Sequence, residues 1–164
     1  MLQNDESPEP GDPDPERFTP ELLGRALKEG DPESFSLHLL SDDSEALLDL
    51  FETMTNAGFH VTASTRVTEA LDLVARWRPK VLLSEFTLPE MGGLELQTRI
   101  REASPGTRVL FTVGASEGWS HRNSIWSQGG ELIVKPFTKM ALVRAVERVL
   151  EEAQGRPKLT GPES

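Results

Sequence analysis

The chain has no cysteine, which excludes disulfides, thiolate metal centres and a cysteine nucleophile. No apolar run approaches the roughly 20 residues needed to span a bilayer. The start, Met1 to Arg17, has neither the basic stretch nor the apolar core of a secretory signal. No membrane insertion is expected, and the cytoplasm is the expected location. Positive charge is scarce as well: 17 Lys and Arg stand against 27 Asp and Glu among 164 residues, a formal net charge of −10. That balance argues against non-specific nucleic-acid binding and against a polybasic membrane patch. With 37% hydrophobic and 27% charged residues, the chain is somewhat polar for a globular protein but too apolar to be wholly disordered.

The charge is unevenly spread. Residues 1–33 hold ten acids against three bases, −7 in a fifth of the chain, and six of the twelve prolines. Residues 34–164 hold 17 acids and 14 bases, only −3. Residues 1–17 combine proline with acid, offer nothing to bury and read as disordered. Residues 18–30, FTPELLGRALKEG, differ. Thr19 suits an N-cap, Pro20 the first helical position and Glu21 the positive end of the helix dipole. Phe18 and Leu23 stand at the spacing of a hydrophobic staple. Leu22, Leu23, Ala26 and Leu27 form one stripe, and Gly30 ends the helix. About three turns is marginal for a lone helix. Its stripe wants a partner, either its own domain or another protein. Three units are expected: an acidic extension over 1–33 with a short helix near 20–29, a folded domain over 34–152 and a loose tail over 153–164.

From residue 34 short apolar runs alternate with amphipathic stretches. Strands are expected over 35–40, 59–63, 80–84, 109–113 and 131–134. Helices are expected over 44–57, 67–77, 93–103, 117–128 and 138–152. Strict alternation of five strands and five helices predicts a doubly wound parallel sheet with helices on both faces. In such a sheet ligands bind at the carboxyl ends of the strands. There the sequence places Asp42 and Asp43, then Glu85, then Thr112 to Gly114, then Lys135 and Pro136. Clustered carboxylates repel unless an ammonium or a divalent cation neutralises them, and Mg²⁺ seeks oxygen. Capping of the following helix is the simpler use for an acid before it. No glycine-rich phosphate loop follows the first strand; Ser41-Asp42-Asp43-Ser44 would repel an FMN phosphate. A flavin-type cofactor binder is therefore disfavoured.

Three segments resemble the receiver domains of two-component response regulators: LeuLeuSerAspAsp at 39–43, ArgProLysValLeuLeuSerGluPheThrLeuProGluMetGlyGly at 78–93, and ValLysProPhe at 134–137. The resemblance covers roughly residues 35–152. It implies a five-stranded flavodoxin-like (βα)5 fold with strand order 2-1-3-4-5, and Mg²⁺-assisted transfer of a phosphoryl group from a histidine kinase to an aspartate. By the resemblance, Asp42 and Asp43 match the family's acid pair, and a possible Mg²⁺ would be held by Asp42, Asp43, Glu85 and the carbonyl of Thr87. Lys135 matches the family's lysine, and its bond to Pro136 would be cis. The phosphoacceptor position is occupied by Glu85, the hydroxyl switch position by Val113 and the aromatic switch position by Leu132. The separations, 42 residues from Asp43 to Glu85 and 50 from Glu85 to Lys135, are normal for the family. A shift of one residue would put Thr112 in the place of Val113.

Glutamate is one methylene longer than aspartate, so its carboxylate reaches toward Lys135 and fills space that a phosphoryl oxygen would take. In-line attack demands tight positioning that the longer side chain disturbs. Val113 has no hydroxyl and Leu132 has no ring. These departures lead to the expectation of an atypical, phosphorylation-independent receiver that is not an enzyme and acts by binding another signalling protein. The alternative is a working Mg²⁺-dependent phosphoacceptor that relays phosphate. The family reads out its signal through the fourth helix, fifth strand and fifth helix. Trp119, Arg122 and Trp126 recur there at helical spacing and form either a binding hot spot or, with Trp126 in the core, ordinary packing. The N-terminal helix is a second candidate contact, and a homodimer remains open. His38, His60 and His121 have no partners at metal-ligand spacing.

Overall fold

The computed structural model describes residues 36–153. The acidic extension, its expected helix and the tail from residue 154 onward lie outside the described residues. The elements are β1 (Leu37–Leu40), α1 (Ser44–Asn56), β2 (Val61–Ser64), α2 (Val67–Trp77), β3 (Val81–Glu85), α3 (Gly93–Ala103), β4 (Arg108–Val113), α4 (Ala115–Ser127), β5 (Glu131–Val134) and α5 (Lys139–Ala153). All pairings are parallel, in the order β2-β1-β3-β4-β5. The expected flavodoxin-like fold is present. The largest boundary shifts are of two residues, at the starts of β1 and β2, which begin later than expected, and of α4, which begins earlier.

The strands are near-continuous apolar runs because helices cover both faces. Leu37, Leu39, Val81, Leu83 and Leu110 pack with Leu47 and Met54 of α1 and with Leu142, Ala145, Val146 and Val149 of α5. Leu40, Leu82, Val109, Phe111 and Val113 pack with Val67, Ala70 and Val74 of α2, Leu96 and Ile100 of α3 and Ile125 of α4. Each fully buried leucine contributes roughly 2 kcal/mol by transfer from water. Leu50, Phe51, Leu71, Leu94, Val143 and Leu150 are only partly buried at the edges of these cores.

His38 is the polar exception. It is fully buried on β1, with Nδ1 2.7 Å from Thr62 Oγ1 and Nε2 2.8 Å from Ser64 Oγ, both on β2. A neutral imidazole has one donor and one acceptor, and hydroxyls serve as either, so both ring nitrogens are satisfied. Burial pushes its pKa from 6.5 down to about 3.

Two loops near the strand ends owe their shape to specific residues. Arg66, the N-cap of α2, provides no side-chain cap bond. Glu90 does so from the β3–α3 loop: its Oε1 accepts from Val67 N at 2.8 Å and its Oε2 lies 3.6 Å from Arg66 Nη2. The same loop is pinched by an antiparallel bridge between Thr87 and Gly92. Gly93 follows, and a Cβ there would run into the Phe86 ring and lie 2.8 Å from the Phe86 carbonyl oxygen. The glycine is required by that close approach.

Candidate functional site

A cleft of about 690 Å³ opens at the carboxyl ends of the strands, lined by Asp42, Glu85, Thr87, Leu88, Pro89, Thr112, Gly114 and Lys135. Strand ends supply each polar group. β1 ends one residue before Ser41, so Asp42 stands on the β1–α1 loop, while Glu85 is the last residue of β3. Lys135 follows β5, and the bond to Pro136 is cis. Lys135 Nζ lies 3.6 Å from Glu85 Oε1, with both side chains part-exposed. The pair is an ammonium–carboxylate contact built from the cleft's own residues.

The two adjacent acids part company. Asp42 faces the cleft. Asp43 caps α1: its Oδ1 accepts from Glu45 N at 3.0 Å and Ala46 N at 3.2 Å. Ser41 Oγ accepts from Asp43 N at 3.1 Å and fixes the turn. The capping use weighed from the sequence thus takes one oxygen of Asp43. Among the described residues no three His, Asp or Glu side chains gather as a metal centre. Asp43 is engaged at the helix start through one oxygen and Glu85 faces an ammonium; Asp42, Asp43, Glu85 and the Thr87 carbonyl are the groups that would hold a Mg²⁺.

β4 divides its last residues between the core and the cleft. Val113 does not line the cleft; it is fully buried and its Cγ2 would lie 3.1 Å from a Cβ at Gly118 of α4. The β4 residue that lines the cleft is Thr112, which pairs across the ladder with Glu85. Strand parity explains this: Phe111 and Val113 point into the core under α4, so Thr112 points with Glu85 to the other side. Leu132 is half-buried against the α4-side core. Ser84 is buried and donates to the Glu85 carbonyl at 2.8 Å.

Phe86, next to Glu85, links the cleft to α4. It meets Phe111 edge-on at 5.1 Å between centroids and lies 5.0 Å from the His121 ring at a tilt of 35°. One side of α4 is thus held by His121 and the buried Ile125, with Gln128 bonded to Arg101 and Thr98 of α3. The opposite side carries Trp119, Arg122 and Trp126. Both indoles are open to solvent, Trp119 at 71% and Trp126 at 48%. Ile125, not Trp126, is the core residue of this turn. The Arg122 guanidinium carbon lies 4.3 Å from the Trp119 ring centre and 5.6 Å from that of Trp126. Val134 at the end of β5 and Met140 at the start of α5 are also exposed.

The chain is similar to known proteins along this whole unit. It is 28% identical over 112 residues to the response regulator receiver protein CpdR of Brucella abortus, covering 68% of this chain and 93% of that protein. It is 25% identical to the chemotaxis protein CheY of Thermotoga maritima, covering 68% and 94%. Among solved structures, the receiver domain of nitrogen regulatory protein C superposes with a TM-score of 0.64 at 28% identity, covering 74% and 98%. A response regulator receiver domain protein from Clostridium thermocellum gives 0.67 at 18% identity, covering 73% and 96%, a likeness of fold. The family model of the response regulator receiver domain matches residues 39–147, and the chain belongs to that family, the receivers of two-component signalling.

Proposed function

We propose that this receiver works without phosphoryl transfer, as a binding module in bacterial signal transduction. The observation that carries the reading is the Glu85–Lys135 contact at 3.6 Å. Glu85 stands where the family's resemblance puts the phosphoacceptor, and its carboxylate already occupies the lysine. The longer side chain holds an anion where a phosphoryl oxygen would otherwise arrive. Val113, buried against α4, has no hydroxyl to follow such an oxygen, and Leu132 has no ring to swing. Output runs through the exposed Trp119–Arg122–Trp126 surface, whose aromatic and arginine content is that of a binding hot spot. The partner is another signalling protein.

Pull-downs with wild type, Glu85→Ala and Glu85→Asp test the role of position 85. Glu85→Ala removes the anion and is expected to weaken capture. Equal capture by all three would show that position 85 does not set the signalling state.

One observation favours a second reading. Thr112 lines the same cleft as Asp42 and Lys135, so a hydroxyl is available there. A receiver that still accepts phosphate would use it, and a phosphorylated species would identify that case.

A further inference from the structure

We propose that the Trp119–Arg122–Trp126 shelf is covered, within the same chain, by the leucine-striped segment 18–33. The inference rests on the reading of this shelf as the binding surface and adds how it is controlled. The exposed large hydrophobics among the described residues are Trp119, Trp126, Val134 and Met140. They lie on α4, the end of β5 and the start of α5, the elements around the β5 edge of the sheet. Two open indoles leave hundreds of Å² of apolar surface for a partner.

The chemistry of the segment matches that of the shelf. Leu22, Leu23, Ala26 and Leu27 give an apolar stripe, and Glu21, Glu29, Asp31 and Glu33 give carboxylates beside it. The Arg122 guanidinium carbon lies over both indoles, at 4.3 and 5.6 Å, and a guanidinium beside aromatic rings can also pair with a carboxylate. About three turns is marginal for a lone helix, and the shelf would give the stripe something to bury against. The lengths also agree. A ten-residue helix is about 15 Å long, and Trp119 to Trp126 spans about 10 Å of helix axis.

The tether reaches. Ser36 leads into β1 at the end of the sheet where all five parallel strands begin. α4 returns toward that same end, because β5 starts four residues after Ser127. Trp126 is therefore the part of the shelf nearest the entry of the chain. β1 and β5 are separated by three strand spacings, about 14 Å, and α4 stands a helix layer, about 10 Å, off the sheet, so its axis is about 17 Å away; the six Cα steps from residue 30 to Ser36 span up to about 20 Å.

The test uses the full chain labelled with 5-fluorotryptophan, in which Trp77, Trp119 and Trp126 give three ¹⁹F signals, assigned with Trp119→Phe and Trp126→Phe. A soluble gadolinium chelate broadens exposed signals. In wild type the Trp119 and Trp126 signals are expected to resist broadening. Leu23→Asp should broaden both and leave Trp77 unchanged, and an added 18–33 peptide should restore the protection. Equal broadening in wild type and Leu23→Asp would overturn the proposal. So would protection that vanishes on dilution together with a dimer-to-monomer change in sedimentation, because a second copy would then be the cover. Failure of the cover is separable from failure of the binding reading. Trp119→Ala and Trp126→Ala are scored for partner capture, which can be lost whether or not Leu23→Asp changes the ¹⁹F spectrum.

Discussion

The cleft at the strand ends and the shelf on α4 are neighbours made in opposite ways. At the cleft and its rim several polar groups are used inside the molecule: Glu85 meets Lys135, the neighbouring Asp43 caps α1, and Glu90 of the adjoining loop caps α2. On the shelf two tryptophans are held apart by an arginine and left facing solvent. A site that satisfies itself gains little from an incoming ligand, because the ligand must displace contacts already made. A surface that leaves large apolar rings in water gains much. The contrast moves the expected function from the strand ends, where this fold class binds ligands, to the outer face of one helix.

The largest expected effect is on the shelf. Trp119→Ala and Trp126→Ala should each weaken partner binding by about 2 kcal/mol or more, roughly thirtyfold, measured by titration calorimetry. Their thermal stability should fall far less than their binding, since neither ring belongs to the domain core. A large fall in stability with little change in binding would reverse the comparison.

The framework beneath both regions has its own signature. His38 binds no proton in the folded state until pH nears 3, whereas its unfolded pKa is 6.5. The unfolded chain therefore takes up more protons below pH 6.5. Stability is full above that pH and falls as pH drops toward 3, by up to about 1.4 kcal/mol per pH unit from this group. Urea melts at pH 7, 6 and 5 in wild type and His38→Gln measure it, and the variant should show the shallower acid limb.

Gly93→Ala probes the bridge between the regions, because Phe86 contacts both Gly93 and His121. Overpacking there should cost about 1–3 kcal/mol and shift the emission of the α4 tryptophans. A destabilised variant with unchanged emission would show that the cleft loop and α4 are independent. The smallest effect belongs to Asp43→Ala, about 1 kcal/mol for a lost cap, seen as a lower denaturation midpoint with partner binding unchanged.

The order of elements, their alternation and the strand order were legible because hydrophobic period and strand-end residues agree along residues 37–153. The cleft was legible as a list: Asp42, Glu85, Thr87 and Lys135 were all named from sequence, and all line it. Their division of labour was not. Whether Asp43 faces the cleft or caps α1 depends on one turn held by Ser41. Whether Thr112 or Val113 faces Glu85 depends on parity in β4, which a linear alignment does not carry. His38 looked unremarkable because its partners, Thr62 and Ser64, are 24 and 26 residues away. Trp126 could have been core; only the buried neighbour Ile125 fixes the rotation of the helix.

The central claim is that the cleft does not take a phosphoryl group. Incubation of the full chain with acetyl phosphate and Mg²⁺, read by intact mass, tests it directly. The account predicts no phosphorylated species for wild type. A wild-type chain that gains one phosphoryl group and changes its tryptophan emission would contradict it.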